Sequence, residues 1–289
     1  MSFEDFERRV VDTGAAQINT LVGGSGDPLL LLHGYPESHL MWRKVVAPLA
    51  ERFTVVATDL RGYGESSAPA TDPEHRVYSK RATAQDQLTV MGSLGFREFA
   101  VAGHDRGARV AHRMLLDAPE RVTRAAVLDI VPTPHVFEVM DGVRARSYWH
   151  WLFLIQEGGL PERLIGADPE YFLRRVFGNF AGADDVVDTE TFEAYLRAWR
   201  DPAKIAAFCE DYRAGASVDL ADHAADTKRI EQPLLVLWGA AGALARLHED
   251  PLGVWSRWAD DVRGHAVPGG HFLPEESPVE TADALLDFF

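Results

Sequence analysis

An aspartate stands between two glycines at Gly103-His104-Asp105-Arg106-Gly107. The apolar run Phe99 to Gly103 (FAVAG) leads into it, and a helical pattern follows. Strand, tight turn and helix around G-x-nucleophile-x-G make a nucleophile elbow, a turn that more often carries serine. The glycines permit a tight, strained turn. The residue between them is held exposed at a helix N-terminus, where free N–H groups and the helix dipole favour negative charge. An aspartate there stays ionised and can attack carbon to form an ester. The plainer alternative is that Asp105 caps the following helix. Glycines on both sides, directly after a buried strand, favour the nucleophile.

An ester intermediate must be cleared by water activated by a general base, and the base needs an orienting carboxylate. Of the eleven histidines, His271 is the best base: it lies in Val267-Pro268-Gly269-Gly270-His271-Phe272, a Gly-rich loop after an expected strand. The chain order nucleophile, acid, base places the acid between them. Asp129, in VLDIVP, ends an expected strand; the loop after the next strand, from Trp238, carries no carboxylate until Glu249. Asp129 therefore takes the role by elimination. Leu32-His33-Gly34-Tyr35-Pro36 follows the first buried strand, and a loop there supplies one N–H to an oxyanion while the residue after the nucleophile supplies the other. These are the backbone N–H groups of Tyr35 and Arg106.

The elements that must position these groups are legible as alternating patterns. Pro28 to Leu32, Phe53 to Thr58, Phe99 to Gly103, Ala125 to Ile130 and Leu234 to Trp238 are continuous apolar runs. Such runs fit strands buried on both faces of a parallel sheet. Ser79 to Leu94 and Ala108 to Leu116 have helical period, so the chain predicts an α/β fold with a mostly parallel central sheet and helices on both faces. Val10 to Thr20 is expected to form an antiparallel pair at the sheet edge. From Thr133 to Ala216 the chain is rich in Trp, Tyr, Phe, Arg and Glu, with helical patterns and no good strand run. A helical insertion after the strand ending near Asp129 predicts a cap (lid) over the C-terminal edge of the sheet, where open α/β sheets place their sites. The expected division is a core of 1–132 and 217–289 and a cap of 133–216.

Composition narrows the function classes. In 289 residues, 29 Lys and Arg face 44 Asp and Glu, a formal charge of −15. No basic run offers a surface for nucleic acid. The single cysteine, Cys209, allows no internal disulfide and fits a reducing compartment. The N-terminus has no apolar core like that of a signal peptide, and no run approaches the ~20 apolar residues of a membrane span. A cytoplasmic enzyme is expected. No C-x-x-C or H-E-x-x-H spacing is present, so no metal or organic cofactor is called for.

Together HGYPES…MW, DLRGYGES, GHDRGARVAHR, VLDI, SYWHW, CEDYRAGA and GGHFLPEE resemble the α/β-hydrolase superfamily. Within it the chain looks most like the haloacetate (fluoroacetate) dehalogenases, from about Arg8 to the C-terminus. The first motifs and the histidine loop are shared with epoxide hydrolases and haloalkane dehalogenases. The more specific segments are Asp105-Arg106-x-x-Arg109, His150-Trp151 and Asp211 to Ala216. The resemblance implies a homodimer and a small anionic haloacid substrate. Arg106 and Arg109, one helical turn apart, would grip its carboxylate by charge-assisted hydrogen bonds. Arg113 reads instead as a surface arginine. His150, Trp151 and Tyr212 would donate to the departing halide, and Phe180 would form a pocket wall where this group usually has Trp. Tyr35 stands where Phe is frequent, and Gly239 to Leu244 is expected to form another wall.

The expected reaction converts fluoroacetate or chloroacetate to glycolate and halide through an ester on Asp105. The nearest alternative is an epoxide hydrolase with the same Asp–His–Asp set. It needs two cap tyrosines; Tyr212 would be one, and Tyr148 is close to the place of the other. Arg106 directly after the nucleophile argues against neutral haloalkanes, and Asp105 excludes a serine esterase. A non-catalytic binding protein of the same fold is disfavoured by an intact nucleophile, base and acid.

Overall fold

The computed structural model describes residues 1–182 and 186–289. Among these residues eight strands form one sheet: β1 (Glu7–Asp12), β2 (Gln17–Gly24), β3 (Asp27–Leu32), β4 (Phe53–Thr58), β5 (Phe99–His104), β6 (Val122–Leu128), β7 (Leu234–Gly239) and β8 (Val262–Val267). Their order is β1-β2-β4-β3-β5-β6-β7-β8. β1 and β2 form the expected antiparallel edge pair, and β2 also runs antiparallel to β4. The other pairings are parallel.

The apolar runs are buried on both faces, as their lack of alternation predicts. Successive side chains of a strand point to opposite faces. Leu30, Leu32, Val56, Val101, Val127 and Val236 accordingly enter one core, and Leu29, Leu31, Val55, Ala102, Leu128 and Leu237 enter a second. Helix α1 (Val46–Ala50) packs Val46 and Leu49 into the second core. Helices α2 (Lys80–Ser93) and α3 (Arg106–Asp117) pack Val90, Met91, Val110, Ala111 and Met114 into the first. The Ser79 side chain caps α2 by accepting from the Ala82 N–H. Arg113 is not a surface residue: α3 is buried along almost its whole length, and Arg113 donates to Asp226 at 2.7 Å and also contacts Asp117. A helix covered on its far side by later chain segments has no solvent face for it.

Between β6 and β7 the chain is helical: α4 (Thr133–Glu138), α5 (Gly142–Ser147), α6 (Trp149–Leu154), α7 (Leu160–Ala167), α8 (Pro169–Phe180), α9 (Thr189–Trp199), α10 (Pro202–Ala216) and α11 (Val218–Ala225). The helical stretch runs on to Ala225, past the boundary expected at Ala216, with a break in backbone direction at Ser217. Trp151, Leu154, Ile165, Leu173, Trp199 and Phe208 of these helices join the same core as α2 and α3. Four further helices follow: α12 (Ala243–Leu247), α13 (Pro251–Trp255), α14 (Leu273–Glu276) and α15 (Pro278–Phe288).

The strand order reverses at β3, since β4 lies on one side of it and β5 on the other. The loops after β3 and β5 diverge there and leave a crevice at the carboxyl ends of the strands. The Gly34–Tyr35 loop and Asp105 sit at that switch point.

Candidate active site

Asp105 follows β5 with φ +41° and ψ −109°. That strained conformation is taken by the aspartate itself, while Gly103 and Gly107 both keep negative φ. The glycines serve close approach instead. A Cβ on Gly107 would lie 2.4 Å from the His33 carbonyl oxygen, and one on Gly103 would lie 2.6 Å from the Ala108 nitrogen. Strand, turn and helix are thus pressed together, and Asp105 absorbs the strain. Such strain costs about 1–3 kcal/mol and persists only where the surroundings over-determine it. The Asp105 side chain makes no capping hydrogen bond to α3, which removes the plainer alternative. One of its oxygens accepts the Tyr35 N–H at 3.1 Å. The Arg106 N–H is the first of α3, where no helical carbonyl is available to it.

Asp129 follows β6 with φ +53°. One carboxylate oxygen accepts the Gly239 N–H at 3.0 Å, and the other lies 2.6 Å from His271 Nδ1. His271 is fixed along its backbone as well. Its N–H donates to the Phe180 carbonyl at 3.0 Å, and its own carbonyl contacts His104 Nε2 at 2.8 Å. The Glu276 carboxylate accepts the Gly270 and Phe272 N–H groups at 2.7 and 2.9 Å, which shapes the loop on either side.

The electrostatics suit a nucleophile and a base. Burial pushes the Asp105 carboxyl up, but the charges of His271, Arg109 and Arg106 outweigh it and hold it below its usual range, so it is ionised. Burial pushes His271 down, but the hydrogen bond and charge of Asp129 and the charge of Asp105 outweigh it and leave its pKa raised. Burial lowers Arg109 to about 10 against the pull of Asp105, so it stays protonated at neutral pH. Burial lowers His150 to about 3, so its ring is neutral and has one donor.

These groups meet around a cavity of about 40 Å³. Asp105, Asp129 and His271 line it from the strand ends, and Arg109 from α3. Tyr148, His150, Trp151, Phe180 and Tyr212 line it from the helices between β6 and β7, and Ala243 and Leu244 from the expected wall loop. The cavity is small, on the scale of a short-chain substrate. His150 Nδ1 and the Tyr212 hydroxyl are buried without partners. Arg109 Nη1 is tied to the Val131 carbonyl and the Thr133 hydroxyl, and its Nε has no partner.

Arg106 departs from expectation. Its guanidinium does not line the cavity. It donates to Asp211 from Nε at 2.7 Å and from Nη2 at 3.0 Å, and lies against the Tyr212 ring. Only Nη1 is unpaired. A buried carboxylate, invisible from the local sequence, takes two of the three guanidinium nitrogens of Arg106. Two further groups, the Tyr35 hydroxyl and Glu37, lie outside the sequence reading, and Tyr148 is the tyrosine named there for the epoxide alternative. The Tyr35 hydroxyl is buried without a partner beside the cavity. Tyr148 OH lies 3.3 Å from His248 Nε2. Glu37 is buried with both oxygens unpaired, 3.7 Å from His104 Nδ1. Glu37 stands in the same loop as Tyr35, which was the one available signal.

Among the described residues no cluster of His, Cys, Asp or Glu is arranged to hold a metal ion, and no helix is long and apolar enough to cross a membrane.

Comparison with known proteins agrees with this architecture. A family model described as alpha/beta hydrolase fold matches residues 27–278. The chain is 48% identical to a fluoroacetate dehalogenase of Burkholderia sp over 288 residues, 99% of this chain and 94% of that protein. It is 33% identical to a soluble epoxide hydrolase of Corynebacterium sp. (strain C12), across 94% of this chain and 93% of that one. A solved structure from Nostoc sp PCC 7120, described as of the alpha/beta hydrolase kind, superposes with a TM-score of 0.97 at 51% identity, covering 99% of this chain and 98% of that one.

Proposed function

The chain belongs to the α/β-hydrolase family, and from that premise we propose that it is a hydrolytic dehalogenase of short 2-haloacids, converting fluoroacetate or chloroacetate to glycolate and halide. One observation carries the reading. One small cavity brings together the carboxylate of Asp105, the carboxylate-paired His271, the guanidinium of Arg109 and the aromatic donors His150, Trp151 and Tyr212. The similarity to a fluoroacetate dehalogenase supports it.

In this reading Arg109 binds the substrate carboxylate, and Arg106 adds its charge from behind Tyr212. An Asp105 oxygen attacks the α-carbon as the carbon–halogen bond breaks, and the halide leaves with the bonding pair. His150, Trp151 and Tyr212 donate to it. His271, oriented by Asp129, then takes a proton from water, and the hydroxide attacks the ester carbonyl. The N–H groups of Tyr35 and Arg106 hold the oxyanion. The Tyr35 N–H already faces an Asp105 oxygen, which supports this role. Collapse expels the glycolate alkoxide, which takes the proton from His271. Asp105 ionises and releases a proton to solvent. No cofactor enters.

The same proposal assigns residues 133–216 as the cap domain on a core of 1–132 and 217–289. It extends, by resemblance to the dehalogenases, to a cytoplasmic homodimer.

Epoxide hydrolysis is the second reading. It is favoured by Tyr148 and Tyr212 lining one cavity and by similarity to a soluble epoxide hydrolase. Halide release from chloroacetate and fluoroacetate at neutral pH, with Asp105→Asn as control, decides between them. Release by the unmodified protein alone supports the dehalogenase. Release of neither ion, with turnover of a small epoxide, overturns it.

A further inference from the structure

The segment that ends α8 lies directly on the loop of the proposed base. A Cβ on Gly270 would stand 2.3 Å from the Gly182 nitrogen and 2.7 Å from the Phe180 carbonyl oxygen, and one on Gly182 would stand 2.6 Å from the Gly270 nitrogen. Neither glycine leaves room for a side chain, so the two backbones touch. The His271 N–H crosses the contact to the Phe180 carbonyl at 3.0 Å. Phe180 therefore has two attachments. Its ring lines the cavity, with its centroid 4.6 Å from that of His150 and 6.0 Å from that of His271. Its carbonyl holds the main chain of His271.

One carboxylate closes this contact. Glu276 Oε2 accepts both the Gly182 N–H and the Gly270 N–H at 2.7 Å, and Oε1 accepts the Phe272 N–H at 2.9 Å. Three backbone donors, one from the segment after α8 and two that flank His271, share one side chain. Bonds from N–H groups to a carboxylate are charge-assisted and stronger than those between neutral groups. Glu276 belongs to α14, whose Leu273 is buried in the second core, so its place is set by the core. The preceding residue, Glu275, contacts Arg43, which donates at 2.8 Å to Asp188, the N-cap of α9. Helix α14 fastens both the end of α8 and the start of α9.

Resting on the dehalogenase reading, we propose that Glu276 is a positioning residue that joins the cavity wall to the base: it fixes the Phe180 segment against the His271 loop, so that a substrate which pushes the Phe180 ring outward also draws His271 away from its water. A larger 2-haloacid then meets two barriers. It fits the wall poorly while the carbon–halogen bond breaks, and its ester is hydrolysed slowly because the base is displaced. A glutamine at 276 offers one acceptor oxygen and turns an NH2 group toward a backbone donor, so the shared bonds cannot all form.

The test separates the two steps. In Glu276→Gln, the kcat/KM ratio of 2-chloropropionate to chloroacetate, which reports the alkylation step, should rise about threefold, part of the roughly tenfold or more that one methylene is worth. Decay of the ester formed from chloroacetate should slow roughly ten- to a hundredfold in a single turnover, the order that a misplaced catalytic group costs. A residue that only stabilised the fold would lower activity on both acids together. In a Phe180→Ala background Glu276→Gln should still slow ester decay but leave the ratio alone. An unchanged ratio in Glu276→Gln, or a change that persists without the Phe180 ring, overturns the proposal. If Glu276→Gln does not fold by circular dichroism, Gly182→Ala carries the same test, because its methyl would lie 2.6 Å from the Gly270 nitrogen and wedge the two segments apart. Hydrogen exchange of the His271 amide, read by NMR, needs no substrate. Its acceptor is the Phe180 carbonyl and not Glu276. Its protection should fall about tenfold in Glu276→Gln, the order of one hydrogen bond to a charged group. Unchanged protection sinks this proposal. Loss of that protection, in a protein whose unmodified form turns over neither haloacid, sinks the dehalogenase reading alone.

Discussion

His271 Nδ1 lies 2.6 Å from an Asp129 carboxylate oxygen, although 142 residues separate the two. They stand after β8 and β6, which are not neighbours, and the pair closes over the end of β7. Gly239, the last residue of β7, ties Asp129 down from beneath with its N–H. The proposed base and its orienting acid are therefore fixed by the sheet.

That pairing sets a pH dependence. The folded pKa of His271 is raised above its ordinary 6.5. The fold thus favours the protonated ring, whose contribution to stability is complete below pH 6.5 and is lost as pH rises through the raised value. Hydrolysis has the opposite sign, because only the neutral ring takes a proton from water. Decay of the Asp105 ester in a single turnover should speed up along a limb as pH rises through the His271 pKa. Asp129→Asn should slow the decay and move the limb down. An unmoved limb would show that another group titrates.

The two chemical steps should separate by mutation. His271→Ala leaves the nucleophile intact and should accumulate a glycolyl ester on Asp105, visible as a mass increase on its peptide. Asp105→Asn should show neither ester nor halide release. An ester found on any other carboxylate would displace Asp105.

Arg109→Leu should act on binding. Losing a hydrogen bond to a charged group costs about 1.5–3 kcal/mol, so KM for a haloacetate should rise roughly 10- to 100-fold with a smaller change in kcat. Steady-state kinetics check this. Unchanged KM would assign the carboxylate to another residue.

Gly107→Ala should destabilise the whole core. The new methyl would meet the His33 carbonyl at 2.4 Å and the Leu32 carbonyl oxygen at 2.5 Å, both backbone atoms that cannot turn aside. Overpacking of this kind costs about 1–3 kcal/mol or more. Thermal unfolding should show a midpoint lower by several degrees. A wild-type midpoint would mean that the elbow can open.

Phe180→Ala should widen the cavity while keeping the main-chain bond from His271 N–H to the residue 180 carbonyl. One extra methylene is worth about 1–3 kcal/mol in such a pocket, so the kcat/KM ratio of 2-chloropropionate to chloroacetate should rise about tenfold. A constant ratio would place the size limit elsewhere on the wall.

The chain by itself determined the strands, because continuous apolar runs between turn residues have few other solutions, and both cores hold those residues. It also determined the candidate nucleophile, base and acid, because each stands at a strand end beside a turn with its own signature. The helical stretch between β6 and β7 was equally visible, since it interrupts the alternation. Arg106 was legible only as a position on α3. Its direction was decided by Asp211, 105 residues on, together with Tyr63 and Lys80. Arg113 was misread for the same reason, since burial of a helix face depends on what later packs over it. Tyr35 and Tyr148 became cavity residues only when the helices closed over the sheet. Strand and turn signals are local and survive in the sequence. The facing of a side chain, and the charge of what it meets, arise from contacts between distant segments and exist only in the folded chain.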